Sequence, residues 1–175
     1  MHPRAPRVPY EAHGVCPFEC CAYREWTVDA DTDVRRDRKD GAAVAFRLHK
    51  GDRVTGVTGV VVTTRLGRAV VREPVMTVPD HVRLKPGDTV YVLHYLGEAV
   101  WRAWVRGRFF EAEFAPTDHP CTGPRQPSSI CVLQIVKDPA AQWWAKVRTG
   151  DGQEGWTRHT ENFGHIDSCG PDDVS

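Results

Sequence analysis

Three of the chain's six cysteines stand together in GVCPFECCAYREW, residues 14–26. Clustered thiols can bind a metal, exchange disulfides or staple a fold. Zinc would draw on His13, Cys16, Cys20 and Cys21. Structural zinc sites take paired ligands spaced C-x2–4-C from two separated knuckles. Cys16 and Cys20 make one such pair at its loose limit, whereas Cys121, Cys131 and Cys169 stand alone. Thiol exchange asks for C-x-x-C at a helix start, where the thiol pKa falls. Cys20 and Cys21 are instead adjacent and run into an aromatic, strand-like segment. Neighbouring strand residues point to opposite faces, so the two are expected to meet different partners. The spacing favours structural disulfides among Cys16, Cys20, Cys21, Cys121, Cys131 and Cys169. The three N-terminal thiols could pair with the three later ones, although six cysteines allow fifteen connectivities and sequence selects none. Each bridge that closes a long loop stabilises by ~2–5 kcal/mol, which matters for a domain with a modest core. The alternative is a set of buried free thiols in a cytosolic protein.

Other chemistry is thin. The eight histidines show no H-E-x-x-H spacing, the pattern that sets two imidazoles on one helix face for a metal. DTDVRRDRKD (31–40) has acids in the manner of a calcium loop but lacks the glycine and terminal glutamate that such a loop needs. It reads as an exposed, charged loop. GVTGVVVTTRLGR (56–68) has glycines but no phosphate-loop lysine. No catalytic set, metal or cofactor is expected, and a thiol-dependent enzyme at Cys20 or Cys21 stands only as an alternative.

The elements that must position these residues are strands. Thirteen prolines and fifteen glycines spread over 175 residues leave few uninterrupted helical patterns. AAVAFRL (42–48), DRVTGVTGVVVT (52–63), DTVYVLHYL (88–96) and ICVLQIV (130–136) are rich in branched and aromatic residues and bounded by turn formers. AVWRAWV (99–105) and RFFEAEF (108–114) form a hairpin around Arg106-Gly107, and WWAKVR (143–148) and EGWTR (154–158) a second. One short helical turn is expected at HTENF (159–163). An internal echo links LHKGDRVTGVTG (48–59) to LKPGDTVYVLHYLG (84–97): in each, a Gly-Asp turn launches a long strand. Two related units are therefore expected at 22–79 and 80–168, joined at a proline-bearing junction. A cysteine-bearing arm (1–21) precedes them, an insertion interrupts the second unit at 115–129, and an acidic tail (169–175) follows. Both tails read as solvated.

Equal numbers of basic and acidic residues, 23 of each, leave no cationic excess for holding phosphates, so nucleic acid is not an expected partner. No run approaches the ~20 apolar residues that span a bilayer, and the first residues lack the apolar core of a signal peptide. Six cysteines, an even number, favour an oxidising location. The expectation is a periplasmic or secreted protein whose leader has been removed, with a cytoplasmic protein as the alternative.

WWAKVRTGDGQEGWT (143–157) resembles the end of a bacterial SH3-like domain: paired tryptophans, Lys-Val in the strand, a glycine turn, then Gly-Trp. LKPGDTVYVL (84–93) is similar to the Leu-x-x-Gly-Asp-x-Val segment before the central hairpin of such domains, and LHKGDRVTGV (48–57) is its counterpart in the first unit. The resemblance implies an all-β chain of two small SH3-like barrels packed in tandem, with a cysteine-rich N-terminal arm. It also implies a noncatalytic binding or scaffolding module of the bacterial envelope, recognising a peptide, a cell-wall polymer or a protein partner. Trp143, Trp156, Phe163 and Tyr95 are the ligand-binding aromatics it suggests, with Trp144 pointing to the opposite face. Flat rings suit extended peptides or sugars because they give apolar contact at small entropic cost. Core filling is the competing use of the same rings. A protein–protein inhibitor or immunity-type partner, acting through a surface, is the competing function.

Overall fold

A computed structural model describes residues 4–122 and 129–169. Parts of three expected segments (1–3 of the arm, 123–128 of the insertion and 170–175 of the tail) lie outside the described residues. The described chain is all-β. Its strands are β1 (Tyr10–His13), β2 (Glu25–Val28), β3 (Thr32–Arg35), β4 (Val44–Leu48), β5 (Arg53–Arg65), β6 (Gly67–Val71), β7 (Val75–Met76) and β8 (Arg83–Leu84). They continue with β9 (Val90–Gly97), β10 (Val100–Val105), β11 (Arg108–Glu113), β12 (Leu133–Lys137), β13 (Ala140–Thr149), β14 (Glu154–Thr157) and β15 (Phe163–Gly164).

Two compact units divide these strands, and neither is continuous in sequence. A flanking unit comprises Glu11–Val62 and Gln142–Ser175, and a central unit comprises Met1–Tyr10 and Thr63–Ala141. These bounds differ from the tandem division at 22–79 and 80–168, and strand pairing is the reason. β6 pairs with β9 and β12, which places residues after Thr63 with the later strands. The tryptophan hairpin β13–β14 instead joins the early strands, in the order β15-β2-β5-β13-β14-β3-β4, with β1 also on β5.

In the flanking unit, alternation along β2 buries Trp26 and Val28 and leaves Glu25 exposed. Val34, Leu48, Val54, Ala145, Val147 and Phe163 complete the core around Trp26. Gly56 faces the same indole: a Cβ there would lie 2.5 Å from the Trp26 ring. DTDVRRDRKD is not wholly a loop. Thr32–Arg35 forms β3 because Thr32 and Val34 alternate with charged residues and turn inward.

The central unit carries the sheet β11-β10-β9-β6-β12 and the small pair β7-β8. Leu84, Val90, Val92, Phe110, Phe114 and Ile135 lie at its core. The β10–β11 hairpin turns on Arg106 and Gly107, both at positive φ, the backbone that a two-residue hairpin loop requires. Residues 4–10 are not a free tail. Pro6 is buried, the Trp104 indole N–H donates to Arg4 O at 3.1 Å, and Tyr10 packs on Phe109 with ring centroids 5.1 Å apart.

The echo noted in the sequence is the same device used once per unit. Gly51 and Gly87 both adopt positive φ, 95° and 92°. The following aspartates accept the amide three residues back, His49 N–H to Asp52 at 2.8 Å and Lys85 N–H to Asp88 at 2.9 Å. Leu48 and Leu84 before the turn, and Val54 and Val90 after it, are buried. The turn thus reverses the chain while keeping both flanking apolar residues in one core. A single 3-10 turn at Thr160–Asn162 occupies the expected helical position.

Candidate functional site

The six cysteines form three disulfides: Cys16–Cys21, Cys20–Cys169 and Cys121–Cys131. Adjacent Cys20 and Cys21 do meet different partners. Only Cys20–Cys169 links the N-terminal cluster to a later thiol, and both of its ends belong to the flanking unit. Of the connectivities that sequence leaves open, the one that ties every N-terminal thiol to a later one is therefore not the one formed. Cys16 is near enough to Cys21 to close a short loop, and Cys121–Cys131 ties the insertion to the 3-10 turn Ser129–Val132 that follows it. Among the zinc candidates, Cys16, Cys20 and Cys21 are consumed by these bonds, and His13 sits 3.2 Å from Glu11.

The four expected ligand-binding aromatics divide between the two units, and the three in the flanking unit do not share one face of its sheet. Tyr95 belongs to the central unit, where its ring packs 5.1 Å from Trp101 and its hydroxyl accepts the Ala99 N–H at 3.2 Å. Phe163 is 5 % exposed and packs on Trp26 in the flanking core. Trp143 shares that core face with Ala145 and Val147. Its ring meets Phe18, Tyr23 and Trp26 edge-on at centroid distances of 5.8, 6.4 and 6.3 Å.

Polar atoms lock this aromatic cluster. Trp143 Nε1–H donates to Tyr23 Oη at 3.1 Å, and Tyr23 Oη–H donates to Val15 O at 2.5 Å. Burial pushes the Tyr23 phenol up to about 12, against a smaller opposing effect of the indole donor, so it remains a donor. The junction needs Gly59. A Cβ there would overlap Tyr23 Oη and Trp143 Nε1 and lie 2.9 Å from Val15 O. Gly59→Ala is expected to destabilise by roughly 1–3 kcal/mol in urea unfolding, as overpacking does. Gly41→Ala, where a Cβ meets nothing within 4 Å, serves as the control. Equal effects at the two glycines would refute the steric account.

Trp156 lies on the other side of the sheet. It pairs in register with Arg35 on β3 and Lys146 on β13. Directly opposed residues share a face, so its indole stands among cations. The Arg38 guanidinium lies 5.4 Å and the Lys146 ammonium 5.9 Å from its ring centroid, both within cation–π range. Arg38 is held by Glu11 at 3.1 Å, while Lys146 and Arg148 share Glu154 at 2.7 Å each. Arg35 donates to Ala42 O at 2.8 Å and forms no ion pair among the described residues.

Arg35 also lines a shallow cavity of about 370 Å³ in the flanking unit, together with Asp31, Thr32, Asp33, Arg47, His159 and Asn162. Its polar groups are fixed in advance. Arg47 grips Asp33 at 2.7 Å and holds that carboxyl below its ordinary range. Asp31 accepts the Lys50 N–H at 3.0 Å, the main cause of its own lowered pKa, and lies 3.3 Å from His49. Asn162 Nδ2–H donates to Thr32 Oγ1 at 2.9 Å. Both aspartates are thus ionised acceptors at neutral pH, set beside guanidinium donors. That arrangement suits hydrogen bonding to a polar ligand. A general acid would need a carboxyl whose pKa is raised.

Sequence reasoning named Trp156 but missed the cavity. The available signal was the Thr-Asp-Val-Arg alternation of β3, which puts Asp33 and Arg35 outward, but its partners Arg47, His159 and Asn162 come from distant segments. Two further groups bring metal-ligating atoms within 4.8 Å of one another: His119, Cys121 and Cys131, and Cys20, Asp167 and Cys169. No helix of the described residues is long and apolar enough to cross a membrane, and three disulfides point to an oxidising environment. Compared with family models, curated proteins and solved structures, the chain matches none.

Proposed function

We propose that the chain is a noncatalytic, SH3-like binding module of the bacterial envelope, which holds a peptide or cell-wall component on the outer face of the flanking sheet. One observation carries the reading. Arg35 is both the register partner of the half-buried Trp156 and a lining residue of the preorganised cavity, which sets a ring beside a group of hydrogen-bonding side chains. An amphipathic chain, sugar or peptide, can stack on the indole and place its polar groups in the cavity. The tryptophan hairpin supports the SH3-like character, and the disulfides support an exported location.

Calorimetric titration with soluble peptidoglycan fragments and with proline-rich peptides tests the reading. Saturable binding by one class is expected, weakened at least about tenfold by Trp156→Ala, a loss in the range of an interface anchor. Arg35→Ala should weaken the same ligand while costing no more stability than its hydrogen bond to Ala42 O, about 1 kcal/mol. Heats indistinguishable from dilution for both classes, or variants that bind as the wild type does, would exclude this face.

A further inference from the structure

The central unit holds a second constellation, unrelated to that face. His119, Cys121 and Cys131 bring one imidazole nitrogen and two sulfurs within 4.8 Å of one another. We propose that the Cys121–Cys131 disulfide is one of two exclusive states of this group, and that reduction converts it into a Cys2His site for a borderline divalent cation, Zn2+ foremost.

The backbone holds the three residues ready. His119 N–H donates to Pro116 O at 3.2 Å and Cys121 N–H to His119 O at 2.9 Å, a tight turn that sets the two side chains together. The same His119 carbonyl accepts Gln134 Nε2–H at 3.0 Å, and Arg72 in turn donates to Gln134 Oε1. Cys131, 5 % exposed, comes from the 3-10 turn Ser129–Val132 on the other side. Tetrahedral zinc, with Zn–S near 2.3 Å and Zn–N near 2.0 Å, draws its ligand atoms to within about 4 Å of one another. Rotation about the side-chain torsions covers the remaining distance.

His119 supplies the second observation. Its Nε2 is buried and has no hydrogen-bond partner among the described residues, a condition that costs free energy unless something ligates the nitrogen. The other group is poorer on this count. Cys169 is exposed, and Asp167 Oδ1 already accepts the Cys169 N–H at 2.7 Å.

The chemistry balances with an external reductant, a dithiol or a phosphine. Two electrons and two protons convert the disulfide to two thiols. Each thiol gives up its proton as its sulfur bonds the cation, the imidazole binds neutral, and water takes the fourth position. Oxidation of the thiolates to the disulfide expels the cation. Affinity therefore falls with acid and vanishes in the oxidised chain.

Co2+ is the probe. Full-length protein reduced with a phosphine should bind it with a thiolate-to-cobalt charge-transfer band, and the oxidised protein should not. The band should vanish in Cys121→Ser/Cys131→Ser, persist in Cys20→Ser/Cys169→Ser, and require at least about tenfold more Co2+ in His119→Ala. Should a variant fail to fold, alkylation of the reduced wild type decides. Zn2+ should slow labelling of Cys121 and Cys131 at least about tenfold over the other four thiols. A band that survives the Cys121/Cys131 double substitution, or uniform labelling of all six thiols with Zn2+ present, would overturn the proposal.

Discussion

Replacing Cys20 and Cys169 together by serine is expected to cost about 5 kcal/mol of stability, the upper end for a single disulfide. The bond spans 149 residues, against 5 for Cys16–Cys21 and 10 for Cys121–Cys131. Chain-entropy arguments scale the contribution with the logarithm of the closed loop, giving about 2 and 3 kcal/mol for the shorter bridges. The long bond also ties a junction that is otherwise held by hydrogen bonds, among them two from Arg24 to the His165 and Asp167 carbonyls. Ala22 N–H donates to Ile166 O at 2.9 Å, and Ser168 donates to Cys20 O through its amide at 2.7 Å and its hydroxyl at 2.8 Å. Next to it, β15 contributes only Phe163 and Gly164 to the pairing with β2. These contacts fasten the last described segment to the first strands of the flanking unit, a unit assembled from two pieces far apart in sequence. Without the covalent tie, each unfolding event frees both pieces. Urea unfolding of the three double-serine variants should rank the losses in the order of loop length. A Cys20/Cys169 variant no less stable than the Cys16/Cys21 variant would sink the account.

That ranking could not be drawn from the sequence, and the reason is general to this chain. What was legible was local. Gly51-Asp52 and Gly87-Asp88 announce their turns because glycine permits positive φ and the aspartate caps the amide three residues back, and Arg106-Gly107 marks its hairpin for a related reason. Strand partners are not local. Nothing in WWAKVRTGDGQEGWT states that β13 pairs with β5 and β14 with β3 rather than with the nearer β12. The two compact units accordingly part at Val62–Thr63 and at Ala141–Gln142, not at the proline-bearing junction. The tryptophans show the same limit. Alternation separates Trp143 from its neighbours Trp144 and Lys146, but which side is the core depends on Trp26, and on Gly59, which leaves room for the Tyr23–Trp143 junction. The SH3-like resemblance implies a groove position for Trp143, whereas its half-buried ring packs against the core cluster and Trp156 stands among the cations of the other face.

Acid should weaken the central unit through a single histidine. His94 on β9 is 2 % exposed, its Nδ1 is buried without a hydrogen-bond partner among the described residues, and its ring stacks on Tyr10 at 6.2 Å. Arg102 is its register partner on β10 and holds Glu111 at 3.0 Å. Burial chiefly, and the Arg102 charge secondarily, push the imidazole down to about 4 from its ordinary 6.5. The folded chain thus keeps His94 neutral, whereas the unfolded chain takes up a proton below pH ~6.5. The stability that depends on a neutral imidazole is fully present above that pH and is lost as pH falls toward 4. Below the folded pKa both states are protonated, and this group contributes no further change. The shift corresponds to about 3 kcal/mol across the window, at ~1.4 kcal/mol per pH unit. His94→Leu removes the titration and keeps an apolar side chain in place. Carboxylates such as Glu11, Asp31 and Asp33 also lose their partners in acid, but they do so in both proteins and cancel in the difference. Urea unfolding of the two proteins at pH 7, 5.5 and 4 should show the wild type losing about 3 kcal/mol more than the variant. Parallel losses would mean that His94 takes its proton in the folded state as readily as in the unfolded one, and that Tyr10 and Arg102 do not seal it.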